Sequence, residues 1–268
     1  MKFFLCIIIN LGLVYGIYAQ SEFILEKELD IRVNEIATDG FNKLYLLSNN
    51  RLLQFNLESH AQKTFTHSIT GRISGIDASD PFRILVFYKD FNQVLFLDKN
   101  LAPIVSPIFL NQLGLNHVVS VCQSINGGFW GFDQSLQQLF YVDKNLSLSK
   151  KSSSLYDIID QNLDLGQVYL VEKNDYIYLA VAGQGMFLFD SYGTYIKMFP
   201  IKEISYFQII GDKIFYSYNN KLKYYNIIDL EQGEIALPIN IFERVLISNK
   251  RIVVTTENKV IIFNTNIF

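Results

Sequence analysis

The sequence predicts an all-β fold, a six-bladed β-propeller whose last blade is closed by the N-terminal strand. Three observations predict it: a short repeat, a regular spacing of strand pairs, and a spare strand near the N-terminus. The repeat is SNNRLLQFN at residues 48–56, and it recurs at 218–226 and 256–264. Each copy contains a turn, a basic residue, a short apolar strand and a closing Asn, a pattern typical of stacked units that share one core.

Strand pairs recur at the spacing of four-stranded blades. Two β-rich runs joined by a tight turn precede each closing residue, as at 83–88 and 93–97 in the second unit. The intervals between closing residues are 42, 45, 47, 36 and 38 residues, within the range of propeller repeats. The closing residues are Asn56, Asp98, Asp143, Asp190, Asn226 and Asn264.

The sixth unit ends after its third strand, and residues 22–29 (EFILEKEL) form a strand without a blade of its own. We therefore predict that residues 22–29 complete the sixth blade as its outer strand. An open β-sandwich or a pair of small domains is the alternative. Helical periodicity is weak except at 154–162, where Leu155, Ile158 and Ile159 predict a short helix inside a loop.

Residues 1–20 have the features of a secretory signal peptide. Lys2 precedes an apolar stretch from Phe3 to Val14, and Tyr18-Ala19-Gln20 is a plausible cleavage site. The stretch is short for a stable membrane span, although a retained N-terminal anchor is the alternative. The sequence thus predicts an exported propeller of residues 21–268, located in the periplasm, at the outer membrane or outside the cell.

Charge and cysteine content exclude several classes of function. The net charge is −3, and it becomes −4 (22 Lys and Arg against 26 Asp and Glu) without residues 1–20. No basic stripe is present, so we predict no nucleic-acid partner. Cys6 lies in the predicted signal, and Cys122, among valines, is interpreted as a buried core residue rather than a nucleophile.

The residue types of known catalytic centres do not form a recognisable set, and we predict no metal and no cofactor. His60, His67 and His117 show neither HxH nor HExxH spacing. A metal-dependent hydrolase on this fold would need carboxylates and amides that converge on the axis. Glu35, Asn116 and Glu243 are the residues that could do so, and a lactonase-like or glycan-active hydrolase is therefore the alternative function.

Two long loops are the best candidates for a binding surface. Residues 107–117 and 152–167 connect the second, third and fourth blades on one face, and long loops on a rigid scaffold often carry function. We predict a binding site around Phe109, Leu110, His117, Tyr156 and Asp157. The alternative is that the loops only pack on the propeller itself.

Three segments resemble secreted six-bladed β-propellers of Bacteroidetes-type bacteria: residues 80–92, 127–133 and 185–193. The chain is also loosely similar to NHL-type and regulator-type propeller repeats. These resemblances imply a propeller that binds rather than catalyses, and no catalytic residues come with them. We therefore predict a non-enzymatic binding or scaffolding protein of the cell envelope or of the secreted fraction, whose partner is another envelope protein or a glycan.

Overall fold

A computed structural model describes residues 23–66 and 71–267, and it confirms the six-bladed β-propeller. Six four-stranded antiparallel sheets surround one channel, and the inner strand of every sheet contributes to its wall. The predicted signal peptide, residues 1–20, lies outside the described residues. Within the described ranges, no helix is long and apolar enough to cross a membrane.

Each of the first three blades is a meander of four consecutive strands. From the axis outward, these strands are β2 (Glu35–Thr38), β3 (Lys43–Ser48), β4 (Arg51–Asn56) and β5 (Gln62–Phe65); β6 (Gly75–Asp77), β7 (Ile84–Tyr88), β8 (Gln93–Leu97) and β9 (Ile108–Phe109); and β10 (Val118–Gln123), β11 (Phe129–Asp133), β12 (Gln138–Val142) and β13 (Leu148–Lys151).

Blades 4 and 5 repeat that order, whereas blade 6 takes its outer strand from the N-terminal region. From the axis outward, these strands are β14 (Tyr169–Lys173), β15 (Tyr176–Val181), β16 (Gly185–Asp190) and β17 (Tyr195–Phe199); β18 (Phe207–Ile210), β19 (Lys213–Tyr218), β20 (Lys221–Asn226) and β21 (Gln232–Ile235); and β22 (Arg244–Ser248), β23 (Arg251–Thr255), β24 (Val260–Thr265) and β1 (Phe23–Leu29). Short 3₁₀ turns occupy Lys89–Phe91, Leu110–Leu113 and Leu165–Gln167.

The two faces of the ring differ because every blade has four strands. All connections from an outer strand to the next inner strand lie on one face, together with the turns between the second and third strands. We call this the crossover face. The opposite face carries the turns between the first and second strands and between the third and fourth. Both predicted loops, 107–117 and 152–167, therefore lie on the crossover face.

Ring closure occurs as predicted, by pairing of β1 with β24 in antiparallel register from Phe23↔Thr265 to Leu29↔Val260. Polar contacts stabilise blade 6 and its seam with blade 1. Arg251 Nε donates to Glu26 Oε2 at 2.7 Å, and Thr38 of blade 1 shares a 3.2 Å hydrogen bond with Ser248 of blade 6. An apolar cluster that combines residues of blades 1 and 6, including Ile36 and Leu246, fills the seam. Apolar burial and paired backbone groups together hold the first and last segments of the ring.

Two of the three copies of the repeat begin with the same turn. Asn49 and Asn50 have φ of 48° and 61°, and Asn219 and Asn220 have φ of 49° and 58°. Positive φ at both central residues defines the tight hairpin turn that suits twisted strands, and Asn tolerates it well. The Asn50 side chain also holds the next loop, since its Nδ2 donates to Gly71 O at 3.0 Å and its Oδ1 accepts from Ile73 N at 2.8 Å.

The closing Asp residues organise the outer hairpins on the opposite face. Asp98 Oδ1 accepts from the backbone N–H groups of Asn100 and Ala102 at 2.7 and 2.9 Å. Asp143 and Asp190 make the same pair of bonds to the residues two and four positions further on. The backbone hydrogen bond from Ala102 lowers the pKa of Asp98, as expected for a carboxylate that accepts amide protons. The regular spacing seen in the sequence is therefore the spacing of the Asp and Asn residues whose side chains form these turns.

The predicted helix at 154–162 is wrong. A single turn forms, in which Leu155 O accepts from Ile158 N and Ile159 N at 3.0 and 2.9 Å. The next amide, Asp160 N, donates to Gln184 Oε1 at 2.9 Å instead of continuing a helix. Asp160 Oδ1 then accepts from Asn162 N at 2.9 Å, which closes a local turn. Side-chain hydrogen bonds have replaced the helical ones.

Removal of β1 is expected to destabilise the whole ring. Compared with a chain that begins at residue 21, a chain that begins at Asp30 should lose at least about 3 kcal/mol of unfolding free energy. Burial of Phe23 alone contributes about 1.5–3 kcal/mol, and β24 would become an unpaired edge. Thermal and chemical unfolding of the two chains measure the difference. Identical unfolding curves would show that β1 does not close the ring.

Candidate functional site

The central channel is the main cavity of the propeller. Its volume is about 760 Å³, and its wall includes residues from the inner strands of all six blades. Small-molecule sites in proteins commonly have volumes of about 300–1,000 Å³. The channel is therefore large enough for a small ligand, and the polar groups in its wall decide what it could bind.

A buried ion pair lies at the end of the channel nearest the crossover face. Glu35 begins β2 of blade 1, Arg244 begins β22 of blade 6, and Arg244 Nη1 donates to Glu35 Oε1. Only 14% of the Glu35 side chain and 32% of the Arg244 side chain are exposed. Burial raises the pKa of the Glu35 carboxyl, and the adjacent guanidinium opposes that rise. The pair joins two blades across the seam and presents charged groups to the cavity.

Two tyrosines extend this polar end into a cluster. The rings of Tyr169 and Tyr206 lie 4.9 Å apart, and the Arg244 guanidinium carbon lies 5.1 Å from the Tyr206 ring centroid. Phe207 packs edge-on against Tyr169 at 5.5 Å. Burial raises the pKa of both tyrosines, and the negative charge of Glu35 adds to the rise. Both phenols therefore keep their protons at neutral pH and can donate hydrogen bonds.

Other polar groups of the channel wall are already used to join neighbouring blades. Asp77 Oδ2 accepts from Gln123 N at 2.8 Å, and Gln123 Nε2 donates to Asp77 O at 2.8 Å, which ties blade 2 to blade 3. Gln208 makes the equivalent pair of bonds to the backbone of Ile247, between blades 5 and 6. These side chains brace the inner strands, so they hold the channel open at a fixed width.

The three residues considered for a metal site do not come together in the channel. Glu35 and Glu243 belong to its wall, whereas Asn116 lies on an exposed loop outside it. Among the described residues, no group of three His, Cys, Asp or Glu could hold a metal ion. His60 and His117 are exposed, and His67 lies outside the described residues. Cys122 is buried, and burial raises the pKa of its thiol, which disfavours the reactive thiolate.

The loop at 107–117 displays part of the predicted binding site and buries part of it. Phe109 is 42% exposed and His117 is exposed, but Leu110 is fully buried in the core between blades 2 and 3. Asn92 fixes this loop, since its Nδ2 donates to Leu115 O at 2.5 Å and its Oδ1 accepts from Val118 N at 3.2 Å. Leu110 thus anchors the loop that presents Phe109.

The loop at 152–167 is held in the same way. Leu155, Ile159 and Leu165 are buried, while Tyr156 is 60% exposed and Asp157 points away from the core into an exposed position. Gln161 Nε2 donates to the backbone oxygens of Tyr156 and Ile159 at 2.8 and 2.7 Å. Lys89 Nζ, in the turn between β7 and β8 of blade 2, donates to Gly166 O at 2.6 Å, which ties this loop to a neighbouring hairpin of the crossover face.

Sequence reasoning missed several residues of both regions. Exposed apolar side chains also occur on the turns of blades 2 and 3 and within the second loop: Phe91, Leu136 and Ile158. Phe91 and Leu136 lie in turns that the sequence predicts, whereas Ile158 lies in the segment predicted as a helix, and nothing in the local sequence indicated that these side chains are exposed. We call the set Phe91, Phe109, Leu136, Tyr156 and Ile158 the blade 2–3 patch. Of the channel cluster, Glu35 was considered as a residue facing the axis, but Tyr169, Tyr206 and Arg244 were missed because they come from three other blades.

Comparison with known proteins identifies the fold and no more. No family model and no curated protein matches the chain. Virginiamycin B lyase from Staphylococcus aureus superposes with a TM-score of 0.64 at 10% identity, over 91% of this chain and 100% of the lyase. A protein of unknown function from Bacteroides thetaiotaomicron gives a TM-score of 0.67 at 10% identity, over 91% of this chain and 74% of that one.

A third structure with the same fold is the extracellular domain of a proposed one-component system from B. thetaiotaomicron. Its TM-score is 0.57 at 14% identity, and the match covers 88% of this chain and 36% of that one. The chain therefore belongs to the class of six-bladed β-propellers, a fold shared by enzymes and by extracellular domains. At these identities the likeness does not extend to activity.

The channel ion pair gives a test of how much the polar cluster contributes to stability. Arg244→Ala should lower the unfolding free energy by about 3 kcal/mol, because the Glu35 carboxylate would remain buried without its partner. The double variant Glu35→Gln/Arg244→Ala should lose far less than the sum of the two single changes, Glu35→Gln and Arg244→Ala. Urea denaturation of the single and double variants measures this coupling.

A matched exposed pair serves as the control for that experiment. Lys259 Nζ lies 3.0 Å from Glu28 Oε2, and the two side chains are 46% and 42% exposed. Lys259→Ala should shift the urea midpoint far less than Arg244→Ala does, since solvent screens exposed pairs. An equal loss for Arg244→Ala and Lys259→Ala would contradict the buried character of the channel pair.

Proposed function

We propose that this protein is a non-enzymatic binding protein of the cell envelope or the secreted fraction, and that it binds its partner through the crossover face. The observation that carries the proposal is the blade 2–3 patch. Five large apolar side chains, each between 37% and 60% exposed, lie on one face of two adjacent blades. Aromatic side chains on a surface with polar surroundings are the residues that supply most binding energy in interfaces.

Preorganisation supports this function. The loops that carry Phe109 and Tyr156 are fixed by side-chain hydrogen bonds from Asn92, Gln161 and Lys89, and by buried leucines. Ordering a flexible loop costs binding free energy, so a loop that is already fixed binds more tightly. His117 and Asp157 are exposed polar residues of the same two loops. In this proposal Leu110 acts indirectly, because it anchors Phe109 from the core.

The structural neighbours are compatible with more than one function class. One neighbour is an extracellular domain, which supports an exported binding protein in the periplasm, at the outer membrane or outside the cell. Virginiamycin B lyase is an enzyme, and one of its structures is described as a catalytically inactive histidine-to-alanine variant with quinupristin. Among the described residues of this chain, the channel wall contains no histidine. We propose another envelope protein or a glycan as the partner.

Substitutions in the patch should weaken partner capture without unfolding the propeller. Phe109→Ala and Tyr156→Ala should each cost about 1–2 kcal/mol of binding, equivalent to roughly fivefold to thirtyfold in affinity. Their melting temperatures should change little, because both side chains are substantially exposed. Affinity capture from an envelope extract of the native host, followed by titration of the captured partner, measures the effect.

Phe82→Ala is the matched control. Phe82 is 61% exposed, it stacks edge-on against Phe41 at 5.9 Å, and it lies on the opposite face. Capture should be unchanged in this variant. The proposal fails if Phe82→Ala abolishes capture while Phe109→Ala and Tyr156→Ala retain it. It also fails if the two patch variants lose several degrees of melting temperature and keep full affinity, because the side chains would then serve only packing.

A further inference from the structure

We infer that the central channel is a second binding site, for a neutral polyhydroxylated small molecule such as a free mono- or disaccharide. The site lies at the polar end of the channel, around Glu35, Arg244, Tyr169 and Tyr206. It is distinct from the blade 2–3 patch, and the inference does not rest on the partner proposed for that patch.

The shape of the channel is the first part of the argument. Its volume of about 760 Å³ exceeds what one or two sugar rings need, and its wall is formed by inner strands that are braced to one another. The bonds between Asp77 and Gln123 and between Gln208 and Ile247 hold neighbouring blades at fixed distances. A ligand would enter a cavity that already has its final shape, which reduces the entropic cost of binding.

The charges of the wall favour a neutral ligand. The wall contains four acidic residues (Glu35, Asp77, Glu172, Glu243) and three basic ones (Lys89, Lys173, Arg244), a net charge of −1. Charged side chains near the polar end already have partners within the protein: Glu35 pairs with Arg244, and Lys89 donates to Gly166 O. At this end an ionic ligand would have to compete with the Glu35–Arg244 pair, whereas a neutral one would not. Glu172, whose carboxylate oxygens have no hydrogen-bond partner among the described residues, lies further along β14 than Tyr169, outside the polar end.

Hydroxyl groups match the hydrogen-bonding capacity that remains. Arg244 directs Nη1 at Glu35, and a guanidinium carries five N–H donors in all. Each oxygen of Glu35 can accept more than one hydrogen bond, and the phenols of Tyr169 and Tyr206 can both donate and accept. A buried ion pair is stable only when its other donors and acceptors are satisfied. A hydroxyl, which donates and accepts at once, can bridge the acidic and basic members of this cluster.

The tyrosine rings supply the apolar part of the site. Tyr169 and Tyr206 lie 4.9 Å apart at the same end of the channel, and Phe207 supports Tyr169 from behind. An aromatic ring offers a flat apolar face beside its polar tip. A sugar has the complementary surface, with C–H groups on the faces of its ring and hydroxyls around the edge. The cluster thus provides both kinds of contact that this ligand class requires.

The experiment is a binding screen of the purified protein by saturation-transfer NMR and isothermal titration calorimetry. The neutral probes are glucose, galactose, mannose, xylose, N-acetylglucosamine, cellobiose and lactose, and the charged probes are glucuronate and glucosamine. At least one neutral sugar should bind, and the charged probes should bind about tenfold more weakly. The inference is overturned if no neutral sugar binds, or if a charged probe binds more tightly than every neutral one.

Conservative variants then locate the site. Tyr169→Phe and Tyr206→Phe each remove one hydroxyl, so each should weaken sugar binding by about threefold to tenfold, with little change in melting temperature. Tyr192→Phe is the control, because Tyr192 is 73% exposed on the opposite face, and it should leave binding unchanged. If either channel variant unfolds, Glu35→Gln gives the same readout. Sugar binding that is unaffected by all channel variants would place the sugar elsewhere and refute the inference.

Phe109→Ala separates this inference from the proposed partner surface. That variant should bind the sugar normally, since Phe109 is outside the channel wall. Sugar binding that persists after partner capture is lost would support two independent sites. Loss of sugar binding in Phe109→Ala, with Tyr169→Phe and Tyr206→Phe unaffected, would overturn the channel site.

Discussion

Everything in this propeller depends on the pairing of β1 with β24. The two ends of a ring of blades are held together directly when its first and last segments pair in one blade, and the ladder from Phe23↔Thr265 to Leu29↔Val260 provides that link. The apolar cluster of Ile36, Leu246 and their neighbours forms only because the ladder brings blade 6 against blade 1. The Glu35–Arg244 pair crosses the same seam, so the polar end of the channel exists only in the closed ring.

Side-chain hydrogen bonds fix the inner strands and the crossover loops of this regular scaffold, and other side chains remain available for binding. Side chains such as Gln123 and Gln208 hold the inner strands in place, because each donates a hydrogen bond to the backbone of a neighbouring blade. Crossover loops are braced by hairpin side chains such as Asn50 and Asn92. Hydrogen bonds from polar groups within the scaffold therefore order these loops when the protein folds. Exposed side chains such as Phe109 and Tyr156 are left available for contact outside it.

Much of the fold could be predicted from the sequence because its signals are local. Asn50 and Asn220 mark tight turns, Asp98 and Asp143 mark outer hairpins, and the strand at 22–29 had no partner of its own. The helix prediction at 154–162 failed because Gln184, a residue of the next blade, takes the Asp160 amide. Local periodicity does not contain that contact, which only the assembled ring creates.

The candidate sites were harder to predict for the same reason. Leu110 and Phe109 are neighbours of similar character in the sequence, yet one is fully buried and the other 42% exposed. Strand alternation at the short β9 and the following 3₁₀ turn decides which of them faces the core. The channel cluster joins Glu35 to Arg244, residues 209 positions apart. No spacing rule links residues that meet only at the axis of a ring.

The position of β1 also has a consequence for the order in which the molecule can be made. During synthesis β1 emerges first, but its partner β24 follows only after five blades of intervening sequence. Until then both edges of β1 lack a partner strand. Blades 1 to 5 can each form from consecutive strands as the chain leaves the ribosome. Blade 6 cannot, so completion of the ring is a late, long-range event, and the slow step of biogenesis lies at the seam.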